Sequence, residues 1–124
     1  LNLMANVLIV EDDRFLSDIY KMAFTQKKHA VHVCGNGKEA LSYLKENKPD
    51  IILSDLMMPD MNGFDFLESY VGEKGKLDIP VIVLSNLGQE SDKEQCKKFG
   101  IKEYLVKTEV DIDTILEKAE KYLK

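Results

Sequence analysis

Cysteine is scarce in this chain: Cys34 and Cys96 are the only two among 124 residues. Their separation matches no metal-binding spacing, and Cys34 closes an apolar run as a small buried residue would. Nothing else points to a secreted, disulfide-stapled protein. Long apolar runs are missing as well, and none approaches the roughly 18 residues that a membrane span needs. The opening, LNLMANVLIVEDD, has no basic segment and reaches acids too soon for a signal peptide. A cytoplasmic protein with no membrane partner is therefore expected. Positive charge is not in excess: 17 Lys and Arg against 22 Asp and Glu give a net charge of −5. Nucleic-acid affinity comes largely from clustered cations, so no direct nucleic-acid partner is expected. Lys93, Lys97, Lys98, Lys118, Lys121 and Lys124 are interleaved with acids and read as a solvated face. No glycine-rich nucleotide-binding pattern occurs. Repeats, low-complexity tracts and long linkers are absent too.

The length suggests one domain, large enough to bury a core without metal or disulfide. That domain is placed at 4–124, with residues 1–3 as a leftover of expression or an extension before Met4. Short apolar runs alternate with helical periods. The runs are NVLIV (6–10), AVHVC (30–34), DIILS (50–54), PVIVLS (80–85) and EYLV (103–106). They are rich in Val, Ile and Leu, and several lack polar alternation, which marks strands of a parallel sheet covered on both faces.

Amphipathic stretches lie between the runs. Over 14–27 the stripe is Phe15, Leu16, Ile19, Met22 and Ala23. Over 37–47 it is Ala40, Leu41 and Leu44, introduced by an Asn36 cap with Glu39 as its capping-box partner. Over 63–71 it is Phe64, Leu67, Tyr70 and Val71. Over 111–123 it is Ile112, Ile115, Leu116, Ala119 and Leu123. The segment 89–99 has only Cys96 and Phe99 as anchors and stops at Gly100, so it reads as a lightly packed helix. The fold class is α/β: a doubly wound, flavodoxin-like (βα)₅ sheet of strand order 2-1-3-4-5 with helices on both faces. Such sheets bind ligands at the carboxyl ends of their strands.

Polar groups gather at those ends. Glu11, Asp12 and Asp13 follow the first strand, and Asp55 follows the third. Ser85 and Asn86 end the fourth, and Lys107 ends the fifth. Strands one and three are neighbours in this order, so Asp12, Asp13 and Asp55 converge. Converging carboxylates repel one another unless a cation sits among them. Hard oxygens without His or Cys suit Mg²⁺. With an ammonium and a hydroxyl added, the set forms a receptacle for a phosphoryl group. A carboxylate can itself take that group as an aspartyl phosphate, and Asp55 is best placed to do so. Asp12 and Asp13 then hold the metal with Asp55, helped by the backbone carbonyl of Met57. Pro59 and Gly63 fix a tight path around the nucleophile. Taken alone, Asp12 and Asp13 serve equally well as caps of the first helix. Asp60 and Asn62 read as turn and cap residues, and His29 and His32 receive no role.

In their order, VLIVEDD, DIILSDLMMPDMNGF, PVIVLS and KEYLVK resemble the receiver domains of two-component response regulators, of the single-domain chemotaxis type. The resemblance covers essentially the whole chain. It implies a histidine kinase or histidine phosphotransfer protein as donor and Asp55 as phosphoacceptor. It implies Mg²⁺ on Asp12 and Asp13, and Ser85 and Lys107 on the phosphoryl oxygens. It further implies that Tyr104 turns inward on activation, acting with Ser85 as a switch. The fourth helix, fifth strand and fifth helix would carry the message to a downstream protein or output domain. Two departures stand out. The family usually has a cis-proline after the lysine, and here Thr108 follows, so a trans bond and a rerouted loop are expected. Asn86 stands where a smaller residue is common, and it is a further candidate contact to the phosphoryl group. The chain is not expected to turn over a separate substrate. Two other readings stay open: a Mg²⁺-dependent aspartyl-phosphate phosphatase or phosphotransferase, and an interaction module that keeps only the fold.

Overall fold

The computed structural model describes residues 4–123. Residues 1–3, and with them the expected extension, lie outside the described residues, as does Lys124. Five strands alternate with five helices in the order expected. They are β1 (Asn6–Val10), α1 (Arg14–Gln26), β2 (Ala30–Cys34), α2 (Gly37–Glu46), β3 (Ile51–Ser54), α3 (Gly63–Lys74), β4 (Val81–Ser85), α4 (Glu90–Lys98), β5 (Glu103–Val106) and α5 (Ile112–Lys121). All strand pairs are parallel, and the sheet order is β2-β1-β3-β4-β5. The central strands β3 and β4 are buried at every position, which explains why their sequences lack polar alternation. Edge strand β2 differs. Its residues alternate between exposed and half-buried up to Cys34, so only part of it is covered on both faces.

The core lies in two layers, one on each side of the sheet. Leu8, Val10, Ile52, Val81 and Val83 face α2, α3 and the Cys96 anchor of α4. Val7, Ile9, Ile51, Leu53, Ile82, Leu84 and Leu105 face α1 and α5. Each fully buried Leu, Ile or Phe contributes about 1.5–3 kcal/mol through removal from water. The α5 stripe is as expected, with Ile115, Leu116 and Ala119 buried.

Helix α1 departs from expectation. Its buried residues are Ser17, Tyr20 and Phe24, with Leu16 and Ala23 half-buried. Phe15 is 72% exposed, Met22 61% and Ile19 37%. Two apolar stripes overlap on this helix, and the sheet accepts the one that carries Tyr20 and Phe24. In α3 the inward set is Phe66, Leu67 and Tyr70, while Phe64 and Val71 are only half-buried. Helix α4 buries one side chain, Cys96, and Phe99 is half-buried behind it. Gly100 follows at φ +92, a conformation that favours glycine.

At the pole opposite the strand ends, buried His29 ties three elements together. Its Nδ1 accepts the Ala5 N–H at 3.1 Å, and its Nε2 lies 3.0 Å from Glu120 Oε2 on α5.

Candidate functional site

The strands run in parallel, so their carboxyl ends share one rim. The ladder extends one residue beyond two of them. Glu11 N–H donates to Cys34 C=O at 2.9 Å, and Asp55 N–H donates to Val10 C=O at 2.9 Å. These bonds fix the backbone of both acids. Both residues are buried, at 4% exposure for Glu11 and 6% for Asp55. Val7 and Ile9, Ile51 and Leu53, and Leu105 all point toward α1 and α5. Strand alternation carried two residues further puts Glu11, Asp55 and Lys107 on that same side.

Glu11, Asp12 and Asp55 each bring a carboxylate oxygen within 4.8 Å of the others. Asp13 does not belong to this group. Its Oδ1 accepts the Leu16 N–H at 3.1 Å and caps α1. The expectation that Asp12 and Asp13 form the acidic pair is therefore corrected to Glu11 and Asp12. Asp13 is the residue just before the helix, where its side chain meets the orphan N–H groups of the first turn. Glu11 was missed by sequence reasoning, although the alternation of Val7 and Ile9 could have found it.

Lys107 joins the cluster. Its Nζ lies 2.5 Å from Glu11 Oε1 and 2.9 Å from Asp55 Oδ2. Burial works against the charge of Lys107, but its bonds to Glu11 and Asp55 outweigh this and hold its pKa above the ordinary value. Burial lifts the Glu11 carboxyl above its usual range, against the pull of Lys107. Asp55 is further fixed by the Leu56 N–H, 2.7 Å from its Oδ1, and by the Met57 N–H at 3.4 Å. No peptide bond among the described residues is cis. The Lys107–Thr108 bond is thus trans, as expected, and Lys107–Glu109 form a single 3₁₀ turn before α5. Lys107 reaches both acids along this route.

The loop from Asp55 to Gly63 wraps closely around the acid. A Cβ on Gly63 would lie 2.2 Å from the Asp55 carbonyl oxygen and 2.8 Å from Leu56 Cα, so only glycine fits. The Gly63 N–H closes the loop on the Leu56 carbonyl at 2.9 Å. Asp60 turns through φ +64, and Asn62 caps α3 by accepting the Asp65 N–H. Met57 remains 61% exposed at the loop's outer side.

Ser85, by alternation from Val81 and Val83, and Tyr104, by its packing, lie on the opposite face of the sheet. Ser85 is buried and its Oγ accepts the Leu87 N–H at 3.1 Å. Tyr104 is half-buried, and its hydroxyl donates to the Leu87 carbonyl at 2.6 Å. Burial pushes its phenol up to about 12, partly offset by Ser85. Asn86 follows Ser85 and is exposed.

A family model described as response regulator receiver domain matches residues 7–120. The chain is a response regulator receiver domain. It is 35% identical over 115 residues to the protein PilH of Pseudomonas aeruginosa, spanning 91% of this chain and 93% of PilH. It is 36% identical to the Staphylococcus aureus response regulator SaeR over 84% of this chain, but spans only 44% of that longer protein. Among solved structures, the Francisella response regulator 1452 receiver domain superposes with a TM-score of 0.87 at 29% identity, covering 96% of both chains. The Vibrio cholerae chemotaxis response regulator CheY4 gives a TM-score of 0.87 at 26% identity, covering 98% of this chain and all of CheY4, 100%. The acidic cluster of this receiver domain, with oxygen donors only, could hold a hard divalent metal ion. No helix among the described residues is long and apolar enough to cross a membrane.

Proposed function

We propose that this receiver domain is the phosphoacceptor switch of a two-component phosphorelay. The observation that carries the reading is the placement of Asp55: buried, pinned by the Leu56 N–H and paired with Lys107 beside Glu11 and Asp12. A carboxylate oxygen of Asp55 attacks the phosphorus of a phosphohistidine on a histidine kinase or phosphotransfer protein. The new O–P bond forms as the N–P bond breaks, and the donor imidazole leaves with the bonding pair. Glu11, Asp12 and Asp55, with the Met57 carbonyl, would hold Mg²⁺, which neutralises charge on the transferring group. Lys107 faces the same oxygens, and Ser85 and Asn86 stand at the next strand end to receive them. Exposed Phe15 and Met57 leave apolar surface near this rim onto which a donor protein can close. This reading places the domain in the cytoplasm.

The readout runs through α4, β5 and α5 to a downstream protein or output domain. The phosphoryl group adds about −1.5 to −2 charges. Ser85 is drawn toward it and releases the Leu87 N–H, so the seat of Tyr104 and the lightly anchored α4 respond. This is a population shift between two arrangements.

Incubation with acetyl phosphate, followed by intact mass, tests the reading. One added phosphate is expected with Mg²⁺, and none with chelator or in Asp55→Asn. A mass that never changes would instead favour an unphosphorylated interaction module, and turnover of a phosphomonoester would favour an enzyme.

A further inference from the structure

Strand β2 forms one edge of the sheet, with β1 on its only paired side. The Ala30 N–H donates to the Ala5 C=O at 2.8 Å, and the Cys34 C=O accepts the Glu11 N–H at 2.9 Å. In this parallel register the backbone groups of Ala30, His32 and Cys34 turn toward β1, and those of Val31 and Val33 turn outward. The open stretch is bounded at both ends. Before it, the His29 N–H donates to the Phe24 C=O at 3.1 Å; after it, the Gly35 N–H donates to Glu39 Oε1 at 3.1 Å. Val31 and Val33, placed evenly about His32, keep N–H and C=O groups with no partner among the described residues. Charged side chains, proline and bulges commonly guard a free edge, and AVHVC has none of them. The His32 ring stacks on Tyr43 at 4.1 Å between centroids, so it lies over its own α2 and leaves the edge clear.

We propose that the β2 edge docks a second copy of this chain, through antiparallel pairing of β2 with β2 about a twofold axis at His32. Val31 then faces the partner's Val33, and Val33 faces the partner's Val31. Each such pair exchanges two N–H···O=C bonds, so every open group in both windows finds a partner. The two valines lie on the α1 and α5 side of the sheet, half-buried against that core. Their pairing continues this apolar layer across the axis. Charge selects the antiparallel sense. Lys27 and Lys28 are exposed just before β2. Glu39 and Asp60 are exposed beyond its other end, each with a carboxylate oxygen 3.4 Å from the Asn36 amide nitrogen. Antiparallel pairing sets the lysines of one copy against these acids of the other, whereas a parallel pair would set like against like. β2 and β5 are opposite edges of the sheet, so this surface is separate from the α4, β5 and α5 readout face.

Sedimentation equilibrium of the whole unphosphorylated chain, at low and high salt, tests this. So short an edge gives a small interface, and wild type is expected to dimerise weakly, with a Kd on the order of 100 µM at low salt. Salt should weaken the dimer, because the lysine–acid contacts are exposed. Val33→Pro removes an outward N–H and leaves the ladder to β1 intact; it should raise the Kd about tenfold or more. His32→Lys keeps every backbone donor and sets two like charges at the axis, so it should do the same even if Val33→Pro does not fold. Amide hydrogen exchange in wild type gives a direct reading of the edge: Val31 and Val33 should exchange more slowly as protein concentration rises through the Kd. A chain that stays monomeric at millimolar concentration would overturn the proposal and leave the edge to a strand of another protein. A dimer that forms equally well in Val33→Pro and His32→Lys, or one in which the Val31 and Val33 amides gain no protection, would overturn it as well.

Discussion

Tyr104 and Ser85 grip the same residue from opposite sides. The Tyr104 hydroxyl donates to the Leu87 carbonyl at 2.6 Å, while the Leu87 N–H donates to Ser85 Oγ at 3.1 Å. Leu87 thus couples a residue at the strand-end rim to an aromatic side chain beneath α4. The Tyr104 bond is not visible in sequence, because its acceptor is a backbone carbonyl 17 residues away.

Tyr104 should remain un-ionised far above the ordinary tyrosine range, to about pH 12, because burial disfavours the phenolate. The folded state then binds the proton more tightly than the unfolded state. Stability from this group is complete below about pH 10 and declines from there through about pH 12. A ring ¹³Cζ titration by NMR, with Tyr104→Phe for assignment, checks both the value and the direction. Titration near pH 10 would show the ring to be in water.

Gly63→Ala should destabilise the domain by about 3 kcal/mol or more, since the new methyl carbon meets backbone on both sides. The Asp55 carbonyl would have to move, so phosphorylation by acetyl phosphate should fall as well. Urea denaturation measures the first effect and intact mass the second. A variant of wild-type stability would mean that the loop is looser than the contacts with Asp55 and Leu56 imply.

Asp12→Asn should stabilise the protein in the absence of divalent ions. Glu11, Asp12 and Asp55 carry three negative charges against the single charge of Lys107. Removing one acid relieves repulsion worth about 1 kcal/mol at low salt, fading as ionic strength screens exposed Asp12. Urea midpoints at low and high salt, with chelator present, decide it. A lower midpoint at low salt would show that Asp12 is held by favourable contacts instead.

The His29 ring should be held in a single tautomer by its contact to the backbone of Ala5. Nδ1 accepts the Ala5 N–H and so carries no hydrogen, leaving the hydrogen on Nε2 to face Glu120. Long-range ¹H–¹⁵N correlation spectra distinguish the two nitrogens directly. His29→Ala strands the Ala5 N–H and should cost about 1–3 kcal/mol. A ring that exchanges between tautomers would contradict the fixed contact to Ala5.

Periodicity alone was enough to order the elements, because each strand and helix is a local pattern of apolar residues. NVLIV and EYLV match their strands end for end, and Asn36, Asn62 and Gly100 mark helix boundaries through local hydrogen bonds and φ. Asp55 and Lys107 were legible for the same reason, since each directly follows a strand whose direction the parallel sheet dictates. What needed the tertiary structure was every choice between neighbours. Of three consecutive acids, only Glu11 and Asp12 enter the cluster, because β1 pairs one residue past Val10 and α1 then claims Asp13 as its cap. On α1, two overlapping apolar stripes competed, and the sheet surface chose Tyr20 and Phe24 over Phe15 and Met22. A local pattern fixes which residues form an element; only packing against the rest of the chain fixes which way each of them faces.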